Sequence, residues 1–453
     1  MVNSVLNQKT NTLRHNENDL KQTLSFVLDQ AKRLGATEAE ASISVESGLS
    51  TTVRLGVVDT VEFTQDKGLG LTVYIGKKKG TVSTSDLRKD ALQTSIEAAF
   101  RIAKYTEEDP YAGLADPNLM AKEIPDLDLY HPWAITVEDA IAWSKECEEA
   151  ALQCDRKITN SEGASFSTHS RVYAYGNSHG FLGAYPTTRH GMSCAVIGQD
   201  KDTMQRDYDF TTARDARDLE SWKVVGLRAA QRTLRRLSAR KIKTTEAPVI
   251  IAAEIAGGFI GHFIAAISGG SLYRKSSFLL DSLGKQLFPN FIHIEEAPHL
   301  PKALGSAPFD HEGVATTRHD IVRDGILESY VLGSYSARKL GLKTTGNSGG
   351  VHNLLVSHSD LDLQGLLKKM NTGLLVTEMI GQGLNLVTGD YSRGAAGFWV
   401  ENGEIQYPVE EITIAGNLKD LFAHLVAIGN DVEKRSNILT GSILLDKMMI
   451  GGD

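Results

Sequence analysis

The chain has 453 residues, which at about 150 residues per domain predicts two or three domains. Its 48 Lys and Arg against 56 Asp and Glu give a net charge of −8. Nucleic-acid-binding proteins usually carry a basic excess, so this balance argues against direct contact with nucleic acid. With 41% hydrophobic and 23% charged residues, the composition is that of a globular protein and excludes disorder for most of the chain.

The sequence shows no sign of export or of membrane insertion. Its N-terminus lacks the apolar run and cleavage site of a signal peptide. The most apolar long stretch, Pro248 to Ile267, contains Glu254, His262 and several glycines, which does not suit a membrane span. Three cysteines are too few for a disulfide framework. We therefore expect a soluble cytoplasmic protein with a frayed N-terminus over residues 1–15.

The first half opens with a predicted helix that ends at Gly35, because Leu20, Leu24, Val27 and Leu28 recur at helical spacing. Alternating runs rich in β-branched residues then predict strands, and a second helix follows over Asp86–Lys104. The predicted strands are Glu40–Val45, Ser50–Phe63 and Leu69–Ser85. Glycine-containing segments between them predict turns at Gly48, Asp66–Gly68 and Gly76–Gly80.

The same order of elements then recurs. A helix over Ile135–Asp155 begins at Thr136, a favourable N-cap residue, and a helix over Asp218–Leu237 closes the unit. The strand-like runs between them are Ser165–Tyr175, Phe181–Tyr185, Met192–Ile197 and Met204–Thr212. This recurrence predicts a duplicated α+β domain over residues 16–243, with halves at about 16–105 and 135–237 and a proline-containing connector over 106–134. Two unrelated α/β stretches are the alternative.

A basic run ends the second unit, from Arg232 through Arg236 to Lys243. Cations suit the C-terminal end of a helix, so we interpret the run as a solvated helix end and linker rather than as a phosphate-binding patch. Residues 244–248 then mark a domain boundary.

Residues 244–453 predict a different domain. A short apolar strand over Pro248–Ala253 leads into a helix over Glu254–Ile264. Asp324-Gly325 and Asn402-Gly403 lie between alternating runs and predict tight hairpins. Further helices are predicted at Ser336–Leu340, Leu363–Met370 and Leu418–Val426. The fold class is therefore α+β, with a mixed but mainly antiparallel sheet in the second domain, partly covered by helices.

Gly346-Asn347-Ser348-Gly349-Gly350 satisfies the pattern of a serine nucleophile elbow. That motif requires a strand before the serine and a helix after it, whereas the flanking residues predict a loop followed by a strand. A glycine-rich loop is the favoured interpretation. A hydrolase that uses Ser348 with a histidine such as His352 is the alternative.

Histidines and glutamates in the second domain match no metal template. His311-Glu312 lacks a second histidine one helical turn later, so it is not a zincin motif. His293, His299, Glu295 and Glu296 form only a loose cluster with it, and we assign no metal ligands from this pattern.

Four long strings resemble the TldD/PmbA family, specifically its PmbA (TldE) branch. They are Ile267–Ser276, Leu279–Gln286, Ser334–Leu342 and Gly389–Gly403, together with Gly261-His262. The resemblance covers most of residues 248–453 closely and the first half more loosely, through Asp66–Gly70. It implies one of two related subunits of a cytoplasmic bacterial metallopeptidase. The family is tied to trimming of a modified peptide-antibiotic precursor, to degradation of an antitoxin and to DNA gyrase.

In this family the TldD-type chain carries a His-Glu-x-x-x-His zinc motif on the helix that opens the second domain. Here Glu254 stands at the glutamate position, but Ala253 and Gly258 stand where the two histidines would be. His262 is the only imidazole on this helix, and one ligand does not make a zinc site. We therefore expect no catalytic residue, metal ligand or cofactor in this chain, with zinc bound by the partner subunit.

The resemblance implies a non-catalytic subunit that pairs with a TldD-type chain and binds unfolded peptides, as part of a dimer. We expect a peptide to add a strand to an exposed edge of the second-domain sheet. Candidate residues lining the peptide channel are Glu254, His262, His352, Asn353, Asp390 and Arg393. Each is equally compatible with a structural role, which for Glu254 is the favoured one. The alternative function is a regulatory or gyrase-associated binding protein without a peptidase role.

Overall fold

The structure is a computed structural model that describes residues 16–453. The predicted fraying of residues 1–15 lies outside the described residues. The α+β fold class is confirmed, because helices pack on largely antiparallel sheets. Of the helices within the described residues, none is long and apolar enough to cross a membrane.

The first half contains two units, each with a helix, three strands and a second helix. The first unit comprises α1 (Glu17–Arg33), β1 (Glu38–Arg54), β2 (Val57–Ile75), β3 (Lys78–Thr84) and α2 (Lys89–Tyr105). The second comprises α3 (Val137–Leu152), β4 (Ile158–Asn177), β5 (Leu182–Asp200), β6 (Thr203–Ala213) and α4 (Trp222–Arg236).

Both units begin with the same capping device. Asn16 and Asp19 form a capping box at α1, and Thr136 and Asp139 form one at α3. The strands join in one antiparallel sheet of order β3-β2-β1-β4-β5-β6, in which the central β1–β4 pair connects the units. The recurring order and the shared cap favour duplication over two unrelated stretches.

The four helices cover one face of this N-terminal sheet. Alternate residues such as Ile43 on β1 and Val172 on β4 pack beneath α1 and α2, and Phe166 packs with α3 and α4. On the opposite face, Tyr175 and Phe181 pack against Phe309 from the second half of the chain. The helices thus leave the second face of the sheet to the C-terminal domain.

Two of the predicted turns are wrong. Gly48 and Asp66–Gly68 lie inside β1 and β2, and the hairpin turns instead at Leu55-Gly56, where φ is 50° and 74°. Glycine is required at position 48 for a steric reason, because a Cβ there would overlap the imidazole of His169 on the neighbouring strand β4. A glycine required by a neighbouring strand cannot be distinguished from a turn glycine by local sequence.

The turn at Leu55-Gly56 is held by a buried carboxylate on α3. Both oxygens of Glu148 accept backbone N–H groups, Oε1 from Leu55 and Oε2 from Gly56, each at 2.8 Å. Glu148 is only 1% exposed, so its hydrogen bonds have no competition from water.

We expect Glu148→Gln to lower the free energy of unfolding by about 2 kcal/mol, because one N–H would then face an amide NH₂ instead of an acceptor. The neighbouring exposed Glu149 provides the matched control, and Glu149→Gln should leave stability within about 0.5 kcal/mol. Urea denaturation of the three proteins measures this. Equal midpoints would show that the carboxylate does not hold the turn.

The C-terminal domain contains two sheets rather than the single predicted one. Its helices are α5 (Ala253–Ala266), α6 (Gly269–Tyr273), α7 (Ser334–Leu340), α8 (Leu363–Met370) and α9 (Leu418–Ala423). Its strands are β7 (Thr245–Ile251), β8 (Ile294–Glu296), β9 (His319–Arg323), β10 (Ile326–Leu327), β11 (Leu354–Val356), β12 (Gly373–Ile380), β13 (Asp390–Glu401), β14 (Glu404–Asn417), β15 (Leu425–Ile428), β16 (Ile438–Leu439) and β17 (Ile443–Gly451).

One sheet has the order β10-β9-β8-β11-β16 and the other β14-β13-β12-β7-β17-β15, with β14 also pairing with β17. Only β7–β12 and β11–β16 are parallel among these described pairs, which confirms a mixed, mainly antiparallel arrangement. Both predicted hairpins are confirmed, with positive φ at Asp324-Gly325 and Asn402-Gly403. The helix predicted to reach Val426 ends at Ala423, because the chain enters β15.

Three edge strands of the C-terminal sheets, β10, β14 and β16, offer little room for strand addition. Ile438 on β16 packs against Gly257 of α5, and β10 exchanges hydrogen bonds with residues 284–287. In the larger sheet, β14 pairs with both β13 and β17, so that strands β14, β13, β12, β7 and β17 form a closed ring. The sheet edges at β10, β14 and β16 are therefore covered at these positions, and a peptide strand could not readily add to them.

Candidate functional site

The chain enters α5 directly from the central strand β7, which places Glu254 in the first helical turn, where a carboxylate suits the helix dipole. Its Oε1 lies 3.2 Å from Arg232 Nη1 on α4. Arg232 Nε lies in turn 3.5 Å from Asp207 Oδ1 on β6. Glu254 thus takes part in a contact between the N-terminal sheet and α5.

That contact belongs to a network of ion pairs across the domain boundary. Arg236 pairs with both Asp207 and Glu378. The prediction of a solvated basic run is therefore wrong for Arg232 and Arg236, whose side chains are 21% and 15% exposed. Nearby, Arg435 Nη1 lies 3.0 Å from Asp209 Oδ1. Sequence reasoning missed these partners, because they come from strands and loops far away in the chain.

His262, further along α5, and Arg393, on strand β13, lie around Tyr391. The rings of His262 and Tyr391 are 5.6 Å apart, and the hydroxyl of Tyr391 donates to Met379 Sδ at 3.0 Å. Burial, and then the charge of Arg393, lowers the pKa of His262. His262 Nε2 and Arg393 Nε are buried without a hydrogen-bond partner. These two predicted residues share one site.

His352 and Asn353 follow the glycine-rich loop but are buried. Glu296 Oε1 accepts hydrogen bonds from the backbone N–H of His352 at 2.6 Å and from its Nδ1 at 2.9 Å. Asn353 donates to the carbonyl of Ala297 and accepts from Gly305 N–H, each at 2.9 Å. Burial alone would raise the pKa of Glu296, but the bonds from His352 hold it below its ordinary value. The side chains of His352 and Asn353 therefore connect loops through hydrogen bonds.

Asp390 lies apart from the others, on the surface at the start of β13. It accepts hydrogen bonds from Thr388 Oγ1 at 2.6 Å and Asn417 Nδ2 at 3.2 Å, and these lower its pKa. Its contacts are those of a residue that stabilises a turn.

The six candidate residues thus occupy four separate places rather than one channel. Glu254 and His262 are eight residues apart, about 12 Å along the axis of α5. The glycine-rich loop around Ser348 is followed by strand β11, which agrees with the predicted loop and strand and not with a nucleophile elbow.

The surroundings of Glu254 do not fit a zinc ion. Ala253 and Gly258 offer no side-chain ligand, and Arg232 pairs with the carboxylate itself. Across residues 16–453, no group of three or more His, Cys, Asp or Glu side chains is placed to hold a metal.

A cleft lies between the uncovered face of the N-terminal sheet and the C-terminal domain. We call it the interdomain cleft. Its larger lobe has a volume of about 770 Å³ and its smaller lobe about 450 Å³, and Arg214 and Leu304 line both. None of the six candidate residues lines either lobe. Other residues lining the larger lobe include Asp218, His293, Lys302, Leu355, Lys434 and Leu439.

The sequence contained one signal for this cleft. Three residues of one strand, His169, Arg171 and Tyr173, alternate with residues that face the helices, such as Val172. A period of two places them together on the opposite face. The apolar alternation predicts the strand, and the polar residues between the apolar ones mark the face that lines the cleft.

Beside the smaller lobe, Asp310 organises the loop that carries His311. Its Oδ1 accepts N–H groups of Glu312 and Val314 at 2.8 and 2.9 Å, and its Oδ2 accepts Ser348 N–H at 3.0 Å. Burial, followed by the charge of Glu312, raises the pKa of Asp310 to about 7.

This pKa predicts a pH-dependent stability. Between about pH 4 and pH 7 the folded state holds a proton that the unfolded chain releases, so the free energy of unfolding falls as pH rises, by up to about 1.4 kcal/mol per unit. Above pH 7 the contribution of Asp310 is lost and the slope levels off. We expect Asp310→Asn to flatten this slope in urea denaturation between pH 5 and pH 7. Parallel curves for the two proteins would contradict the assignment.

Comparison with known proteins follows the same division of the chain. Family models of the PmbA/TldA metallopeptidase match domain 1 over residues 39–103, the central domain over 130–237 and the C-terminal domain over 244–452. Metalloprotease PmbA of Escherichia coli O157:H7 is 53% identical, with 96% of each chain covered. The Metalloprotease PmbA homolog of Haemophilus influenzae is 52% identical, with 98% of each covered.

Solved structures give the same result. A candidate modulator of DNA gyrase from Bacteroides thetaiotaomicron is 29% identical with a TM-score of 0.91, covering 97% of this chain and 100% of its own. TldE from Thermococcus kodakarensis shares the fold at 19% identity and a TM-score of 0.84, covering 95% of this chain and 100% of its own. The chain therefore belongs to the PmbA (TldE) branch of the PmbA/TldD metallopeptidase family.

Proposed function

We propose that this chain is the non-catalytic, peptide-binding subunit of a cytoplasmic zinc peptidase that degrades or trims unfolded peptides. Its partner is a TldD-type chain that supplies the zinc. The surroundings of Glu254 support this division of labour, because the carboxylate pairs with Arg232 and lacks neighbouring imidazoles. Family membership supports a peptidase-related role.

The observation that carries the peptide-binding part is the interdomain cleft. Its larger lobe, about 770 Å³, is in the usual size range of ligand pockets. Leu355, Val356 and Leu439 give it apolar walls, while Lys434 and the ion pair between Lys302 and Asp218 contribute charged groups. Apolar walls with a few charges suit side chains of an unfolded peptide. The covered sheet edges at β10, β14 and β16 favour this lobe over strand addition at those strands.

The test is cleavage of an unstructured fluorogenic peptide by this chain alone, by a purified TldD-type chain with zinc, and by the mixture. We expect activity from the mixture that exceeds the activity of the TldD-type chain, and none from this chain alone. Chelator-sensitive cleavage by this chain alone, or a mixture no more active than its TldD-type component, would overturn the proposal.

A pair of variants tests the cleft in the same assay. Leu355→Glu places a charge on the wall of the larger lobe and should raise KM about tenfold. Leu342→Glu is the matched control, because Leu342 is 41% exposed and lies outside the cleft. Equal KM values for both variants, with intact pairing, would remove the larger lobe from the binding surface.

A further inference from the structure

Three arginines converge on the smaller lobe of the interdomain cleft. Cross-strand pairing places His169 opposite Arg189, Arg171 opposite Thr187 and Tyr173 opposite Tyr185 on β4 and β5. These side chains share the sheet face that the helices leave uncovered, and Arg214 enters from the end of β6. Gly305, Ser306 and His311 complete the lining from the C-terminal domain.

Within the described chain, none of the three guanidinium groups forms an ion pair. Arg171 Nε donates to Ser44 Oγ at 2.7 Å, and Arg189 Nε donates to Thr212 Oγ1 at 3.1 Å. Such neutral acceptors orient an arginine without cancelling its charge. Many other arginines of this protein instead pair with carboxylates across or within domains.

Arg214 is the most enclosed of the three. Its Nη1 and Nη2 donate to the carbonyls of Thr188 and Leu304 at 3.1 and 2.8 Å, while its Nε is buried without a partner. Burial, and then the charge of Arg189, lowers the pKa of Arg214 to about 10. A bound anion would supply the missing acceptor and relieve the repulsion.

The charges in the lobe favour an anion. Glu46 is the only carboxylate among its lining residues, and it lies 3.0 Å from His169 Nδ1 rather than against an arginine. Three positive charges therefore face the lobe, and within the described residues none of them forms an ion pair with a carboxylate. Tyr173 and Tyr185 add hydroxyl groups and flat apolar surface to the same wall.

We propose that the smaller lobe binds the C-terminal carboxylate of a peptide. The larger lobe continues from it at Arg214 and Leu304, so a peptide anchored by its terminus would extend its preceding side chains along the apolar walls. A carboxylate matches the planar fork of a guanidinium, and its two oxygens would bridge two of the arginines. This inference rests on the proposed function for its peptide ligand.

Calorimetric titration of the full chain with two peptides tests the proposal. The probes are acetyl-Ala-Ala-Leu-Ala with a free C-terminal carboxylate and the same peptide with a C-terminal amide. We expect the acid to bind about tenfold more tightly than the amide, since only the acid forms charge-assisted hydrogen bonds with the arginines. Equal affinity of the two peptides, or no binding of the acid, would overturn the proposal.

Two double variants test whether the smaller lobe is the cause of the preference for the acid over the amide. Arg171→Gln with Arg189→Gln should reduce the preference to less than about twofold, and both residues are exposed enough for the variant to fold. Arg33→Gln with Arg101→Gln removes the same charge from exposed positions on α1 and α2 and should preserve the preference. Loss of the preference in this control instead would overturn the proposal, because net charge would then explain it.

A third peptide distinguishes the source of the carboxylate. The amide acetyl-Ala-Ala-Glu-Ala carries a side-chain carboxylate but no C-terminal one, and we expect it to bind as weakly as the first amide. Binding as tight as that of the acid would overturn the assignment to the chain terminus. If the mixture cleaves peptide faster than the TldD-type chain but this chain does not prefer the acid to the amide, only this inference is rejected. If this chain prefers the acid but does not stimulate cleavage, only the proposed subunit role is rejected.

Discussion

Gly226→Ala is expected to lower the free energy of unfolding by about 3 kcal/mol, although alanine ordinarily strengthens a helix. Gly226 lies in α4, where that helix packs closely on α3. A Cβ at this position would overlap the carbonyl oxygen of Cys147, which belongs to the backbone of α3 and cannot move as a side chain can. The two helices would have to separate, and the core beneath them would loosen.

Gly258→Ala is the matched control for this prediction. Gly258 also lies inside a helix, α5, but a Cβ there would meet no atom within 4 Å. This substitution should raise stability by about 0.5–1 kcal/mol through the smaller backbone entropy of the unfolded chain. Guanidinium denaturation of both variants should give changes of opposite sign. Two changes of the same sign would show that the α3–α4 contact is not set by this glycine.

Asp209→Asn is expected to destabilise the protein by a similar amount, about 3 kcal/mol. Asp209 is 1% exposed on β6 and pairs with Arg228 from α4 and with Arg435 from the C-terminal domain. The amide would leave Arg228 with only the exposed Glu220, and Arg435 with only Glu433, as counter-charges. The loss should appear in the unfolding of both domains, because the pair connects them.

Asp202→Asn provides the control for the Asp209 prediction, since Asp202 is exposed in the turn between β5 and β6. We expect it to change stability by less than about 0.5 kcal/mol. Thermal unfolding followed by calorimetry measures both variants. A change for Asp209→Asn no larger than that of the control would show that the interdomain ion pairs contribute little to stability.

Features governed by local chemistry were predictable. Asp324-Gly325 and Asn402-Gly403 require positive φ at adjacent positions, which few other dipeptides adopt readily, and both form the predicted hairpins. Thr136 begins α3 as predicted, because its side chain satisfies an N–H group at the start of the helix. The recurring order of helices and strands followed from such local signals.

Features that depend on distant residues were not predictable. Local sequence predicts a turn at Gly48, whereas the imidazole of His169 on β4 accounts for its lack of a side chain. The basic residues Arg232 and Arg236 find their acidic partners on β6, α5 and β12. No pattern within a short window reveals a partner that the fold brings from elsewhere.

The candidate site depends even more on contacts between residues that are distant in the sequence. The sequence predicts that His352 lines a peptide channel, but its side chain is buried and forms a hydrogen bond with the carboxylate of Glu296. The arginines of the smaller lobe come from neighbouring strands and from the end of β6, so only the strand register brings them together. Residue type and spacing located the strands but not the cleft between the domains.

The central claim is that this chain binds peptide without holding the catalytic zinc. Calorimetric titration of zinc into the metal-free full chain tests it most directly, with Glu254→Gln as the companion protein. The account predicts no one-to-one site with a Kd below about 1 μM in either protein. A tight one-to-one site that Glu254→Gln abolishes would contradict it, because Glu254 would then be a metal ligand despite its ion pair with Arg232.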